Sequence, residues 1–186
     1  MLAASLAARG VPALLTREPG GAPGAEMLRG LLLDPAQSWA PATEIYLHFA
    51  ARAEHLERTV LPALAAGTVV VCDRFADSTM AYQGFGLGAD TGLIAALTTL
   101  LPVQPDMTLV LEATPGIAAE RLRRRDQALD RYEQMDAGFH ARVRAAYRSI
   151  AEQNPGRCVL ISADGTVAEV QDAILTAVHH RFPEVG

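Results

Sequence analysis

"VPALLTREPGGAPGAEMLRGLLL", Val11 to Leu33, reads as an apolar run, a glycine-rich turn and a helix. Strand, glycine turn and helix in that order is how backbone N–H groups are offered to phosphate. The loop that cradles a nucleoside triphosphate needs G-x-x-x-x-G-K-[ST], with Lys on the β/γ-phosphates and Ser or Thr on Mg²⁺. Here Gly20, Gly21 and Gly24 have a different spacing, and none of the 186 residues is lysine. Glu18 would repel a phosphate that it faced. The stretch therefore sets an α/β pattern without itself being a triphosphate loop.

Outward from it the pattern repeats. "TVVVCDR" (68–74), "DMTLVLEA" (106–113) and "CVLISA" (158–163) are further buried-strand runs. Helical patterns alternate with them at Leu2–Ala8, Glu44–Ala65, Leu93–Leu101, Ile117–Arg125, Tyr132–Gln153 and Val167–His180. Continuous apolar strands separated by helices predict a parallel sheet covered on both faces. The length suits one domain, residues 1–186. In such a sheet ligands bind past the carboxyl ends of the strands.

Composition narrows the classes. Half the residues are hydrophobic and the formal net charge is −5, which argues against a general nucleic-acid binder. Cys72 and Cys158 sit inside apolar strands and read as small buried hydrophobes, neither a disulfide framework nor a zinc site. The segment "MLAASLAARG" is too short to cross a bilayer and lacks the basic start of a signal peptide. A reducing cytoplasmic setting, with no membrane partner, is the expectation.

Three stretches carry chemistry. Asp73 follows "VVVC" in the position of a Walker-B carboxylate, suited to Mg²⁺, and Arg74 beside it suits a bidentate phosphoryl clamp. An ordinary strand-end Asp–Arg pair is the alternative. "ERLRRRDQALDRYEQ", Glu120–Gln134, holds five arginines and reads either as a solvated face or as a lid over polyphosphate. On the helix "EIYLHFAARAEHL", Arg52 shares a face with His48 at i, i+4 and with Phe49 at i, i+3. An aromatic ring and a guanidinium there would stack on a base and bond its edge, unless they are only core and surface.

Together "TREPGG", "LLLD", the helix ending in "AAR", "VVVCDR", "STMAYQG" (78–84), "PDMTLVLEATP" and "LDRYE" resemble bacterial thymidylate kinases over residues 1 to about 180. The resemblance implies a P-loop kinase-like three-layer sandwich with a lid near residues 117–134. It implies transfer of the γ-phosphoryl group of ATP to dTMP, with Mg²⁺, in a cytoplasmic homodimer. It places the thymine stack at His48, with Phe49 the adjacent aromatic, and gives Arg52 to the base. Thr79, Ser78 and Gln83 would read the thymine edge, and Tyr82 would pack on the sugar. Arg74 would hold the acceptor phosphate. Asp130 and Tyr132 match a lid-end motif near dTMP, and Asp73 and Glu133 are the metal candidates. Arg121 and Arg125 are the lid arginines expected on ATP and the transferring phosphoryl group.

His48 departs from the family's stacking aromatic, which leaves the stack between His48 and Phe49, and a major departure lies at the start of the match. The family's first, central strand, its phosphate loop and the start of the next helix have no counterpart here, because the match begins inside that helix. Either the recorded start is internal to an ordinary enzyme, or the chain is an inactive relative that keeps only nucleotide binding. A dinucleotide fold is excluded, since "QGFGLG" does not follow a strand.

Overall fold

The computed structural model describes residues 1–125 and 129–185. Residues 126–128, within the expected lid, and 186 lie outside the described residues. The elements are α1 (Leu2–Ala8), β1 (Ala13–Arg17), α2 (Pro23–Leu33), α3 (Pro41–His55), α4 (Leu61–Ala65), β2 (Val69–Asp73), α5 (Ala76–Thr79), α6 (Thr91–Thr99), β3 (Thr108–Glu112), α7 (Pro115–Arg124), α8 (Ala137–Gln153), β4 (Cys158–Ser162) and α9 (Val167–Arg181). A π-helical turn, Leu56–Val60, joins α3 to α4, and another, Met80–Gly86, prolongs α5.

Among the described residues all strand pairing is parallel, as the continuous apolar runs predict. It forms two pairs rather than one sheet: β1 with β2, and β3 with β4. Among the described residues no ladder joins β2 to β3, the place where the resemblance puts a central strand. Helices pack on the strands, α1 on β1, α8 on β3 and β4, and α9 on β4. Coverage is not complete on both faces as expected: Leu15, Leu111 and Leu160 stay exposed.

Helix α8 bridges the two pairs. Tyr147 on α8 bonds Ser78 on α5 at 2.6 Å, and Arg157 before β4 grips Asp77 on α5 at 2.7 Å. Phe139 and Val143 of α8 pack in one core cluster with Ala81 and Tyr132. A second cluster holds Ile45, Phe49, Ala89 and Ile94.

Two elements differ from expectation. "DSTMAYQGFG" is helical from Ala76 to Gly86 despite its glycines. A Cβ on Gly86 would sit 2.6 Å from Phe139 Cε2, so the glycine there serves close packing. The run expected as one helix from Tyr132 starts only at Ala137, because Asp130 accepts from Tyr132 N and Glu133 N and Asp136 caps Phe139 N.

Candidate nucleotide cleft

The turn after β1 is built by its glycines and acids. Gly20 and Gly21 take positive φ, +132° and +81°. Glu26 of α2 accepts from Gly21 N at 2.9 Å and from Arg17 at 3.1 Å, and its carboxyl is held below the usual range, chiefly by the Gly21 N–H. The Gly21 amide is thus spent on a side chain of α2.

Glu18 turns inward. Its Oε2 accepts from Arg52 Nε at 2.7 Å and its Oε1 from His55 Nδ1 at 3.0 Å. Thr16 Oγ1 lies 2.7 Å from His55 Nε2. Arg52 Nη2 donates to Thr79 Oγ1 at 3.1 Å, and the guanidinium stands over the rings of Phe49 at 4.8 Å and Phe75 at 5.2 Å. Among the described residues its Nη1 is buried without a partner. Buried donors are almost always paired in native proteins, so this atom points to a missing acceptor.

A second network lies beside it. Glu44 Oε1 accepts from Gln83 Nε2 at 3.0 Å and Tyr132 OH at 2.8 Å, and Oε2 from Arg131 Nη1 at 2.7 Å. His48 Nε2 lies 3.1 Å from the Tyr132 oxygen. Burial, with Arg52, Arg131 and Arg74 nearby, pushes the His48 imidazolium pKa down to about 3. His48 is therefore neutral.

From these networks Glu18, His48, Arg52, Thr79, Gln83 and Tyr132 line one open cleft. It gathers His48, Arg52, Arg74, Ser78, Thr79, Tyr82, Gln83, Asp130, Tyr132 and Glu133, all named from the sequence. Arg74 follows β2 with φ +70°, a conformation unusual outside glycine, and its guanidinium lies 4.7 Å from the Tyr82 ring centroid. Tyr82 meets Tyr132, Phe139 and Tyr147 edge-on.

Four expected residues do not line the cleft. Phe49 is buried in the α3–α6 cluster, so of the two stacking candidates only His48 faces the cleft. Asp73 ends β2, exposed. Arg125 pairs with Glu133 at 2.6 Å on the rim, and Arg121 donates to the Gly165 carbonyl at 2.9 Å, a different loop. The sequence reading missed Glu44 and, as cleft residues, Glu18, Pro19, Arg29, Leu33, Phe75 and His140. The one available signal was Glu44 lying at i, i−4 from His48, on the same helical face.

Hard cations take oxygen donors. The Asp73 carboxylate is exposed at a strand end and makes no side-chain hydrogen bond or ion pair among the described residues, so it fits Mg²⁺. Glu133 does not fit as it stands: both its oxygens accept from Arg125. Glu18, His55 and Cys72 also cluster, but Glu18 and His55 are bonded to each other and burial raises the Cys72 thiol far above its ordinary range. That trio is a hydrogen-bond network, not a magnesium site.

The thymidylate kinase family model matches residues 1–174. The chain belongs to the thymidylate kinase family. It is 45% identical to the thymidylate kinase of Gluconobacter oxydans, over 100% of this chain and 89% of that protein. It is 46% identical to the thymidylate kinase of Caulobacter vibrioides, over 97% and 88%. The solved structure of thymidylate kinase from Ehrlichia chaffeensis superposes with a TM-score of 0.76 at 33% identity, covering 96% of this chain and 87% of that one. The α/β fold with parallel strands is thus that of the family's P-loop kinase-like architecture. Nothing in these likenesses supports the inactive reading. No described helix is long and apolar enough to cross a membrane.

Proposed function

We propose that the cleft takes dTMP as phosphoryl acceptor and that the chain acts as an ATP:dTMP phosphotransferase. The observation that carries this reading is the unpaired, buried Nη1 of Arg52 in a cleft that also presents Arg74. A base carbonyl satisfies the first and a phosphate the second.

In this reading neutral His48 supplies a ring for the base without adding charge. Thr79 and Gln83 face the base edge, with Ser78 behind them. Tyr82 packs on the sugar and closes the space for a 2′-hydroxyl. Arg74 holds the acceptor phosphate in line, its backbone strain set by the β2–α5 turn. Asp130 and Tyr132 close the lid end of the site. Arg125 and Arg121 are the donors expected near the transferring phosphoryl group. Asp73 would hold Mg²⁺, which neutralises charge on the phosphates when bound. We read the assembly as a homodimer, which exposed Tyr46 on α3 and Leu64 on α4 favour.

The test is dTDP formation from ATP and dTMP with Mg²⁺. Turnover that disappears in Arg74→Ala is expected. Absent turnover in a folded protein that still binds dTMP contradicts the enzymatic reading, and turnover undiminished in Arg74→Ala contradicts the role of Arg74.

A further inference from the structure

Glu44 has no role in the reading above, yet three side chains from two distant segments meet on it. It is buried on α3 and accepts from Gln83, Tyr132 and Arg131, which lie 39, 88 and 87 residues away. A carboxylate only accepts, so each partner must turn a donor toward it. For Gln83 this decides which end of the amide faces which way. Nε2 donates one N–H to Glu44 and the other to the Tyr132 oxygen, at 3.0 and 3.1 Å. Oε1 is left as an acceptor with no side-chain partner among the described residues. Gln83 is itself only 2% exposed, so this oxygen is nearly buried. Gln83 borders the cleft, as does Arg52 with its unpaired donor Nη1.

The residues bordering the cleft thus include one donor, Arg52 Nη1, and one acceptor, Gln83 Oε1, without a side-chain partner among the described residues. A 4-oxopyrimidine matches both, with its carbonyl accepting and its N3–H donating. A 4-aminopyrimidine inverts both, since its amino group donates and its N3 accepts. We propose that Glu44 is a positioning residue that fixes the polarity of the base-reading edge, and so selects thymine over cytosine. Glu44 touches no nucleotide in this account and acts through the Gln83 amide. Tyr132 follows Glu44: its hydroxyl proton goes to the carboxylate, and only then does its oxygen accept from Gln83. The inference rests on the dTMP reading above.

Calorimetric titration of dTMP and dCMP into the protein and two variants tests it. In Glu44→Gln the new amide can donate to Gln83 Oε1, which frees the Gln83 side chain to turn over. The preference for dTMP over dCMP is then expected to fall by about tenfold or more. Tyr132→Phe keeps Glu44 opposite Gln83 and is expected to keep the preference, even if both nucleotides bind more weakly. A wild type that prefers dTMP, with the same preference in Glu44→Gln, overturns the inference and leaves the dTMP reading standing. A wild type that binds neither nucleotide overturns both. If Glu44→Gln does not fold, Tyr132→Phe still decides: loss of the preference there puts the polarity on the phenol and overturns the proposal, and its retention supports Glu44.

Discussion

Arg52 Nε donates to Glu18 Oε2 across 2.7 Å, with both side chains only 3% exposed. The pair joins the turn after β1 to the last turn of α3, and His55, the last residue of that helix, backs the same carboxylate. It also aims the guanidinium: with Nε on Glu18 and Nη2 on Thr79, Nη1 is the donor left over. A buried charge deprived of its partner is costly, about 3–5 kcal/mol. Glu18→Ala is therefore expected to lower unfolding stability by that amount, read from denaturant midpoints. A loss below about 1 kcal/mol contradicts a structural role for the pair.

His48 gives a pH dependence with a definite sign. Its folded pKa is lowered from 6.5 to about 3, by burial first and then by Arg52, Arg131 and Arg74. Between those values the unfolded chain binds a proton that the folded one refuses. Stability is full above pH 6.5 and is lost as pH falls toward 3, at up to about 1.4 kcal/mol per pH unit from this group. Denaturation of wild type and His48→Gln at pH 7 and pH 5 isolates the effect. The wild type should lose about 2 kcal/mol more than the variant over that interval, and equal losses contradict a neutral buried His48.

Gly21 is expected to tolerate no side chain. Its φ is +81°, and a Cβ would run into Thr16 Oγ1 and lie 2.5 Å from His55 Cδ2. Gly21→Ala should destabilise by more than the about 1 kcal/mol of left-handed strain alone, because the Thr16–His55–Glu18 chain must also shift. A thermal midpoint matching wild type contradicts this packing.

The lid arginines separate by position. Arg125 grips Glu133, which borders the cleft, whereas Arg121 donates to Gly165 O. If charge stabilisation at the transferring phosphoryl group comes from Arg125, Arg125→Ala should cost about 10²–10³ in rate. Single-turnover rates of Arg125→Ala and Arg121→Ala with ATP and dTMP test it, and unchanged rates in both contradict a catalytic lid.

Much of this was legible in the chain, for reasons that particular residues make plain. Val, Ile and Leu runs placed all four strands, since a parallel strand buried on its faces needs no alternation. The strand-end rule and "DR", "STMAYQG" and "LDRYE" placed most of the cleft. Periodicity could not choose between His48 and Phe49, because neighbours on a helix point about 100° apart and only packing says which direction is the cleft. The helix through Gly84 and Gly86 was hidden because those glycines answer to Phe139 and Thr91, not to backbone preference. Glu18 and Glu44 were missed as anchors because their partners lie 34 to 88 residues away.

A crystal structure of the protein with dTMP decides whether Arg52 and Arg74 hold the nucleotide. The base 4-carbonyl is expected within about 3 Å of Arg52 Nη1 and the phosphate on Arg74. Nucleotide bound elsewhere, or with Nη1 still unpaired beside it, overturns the dTMP reading of the cleft.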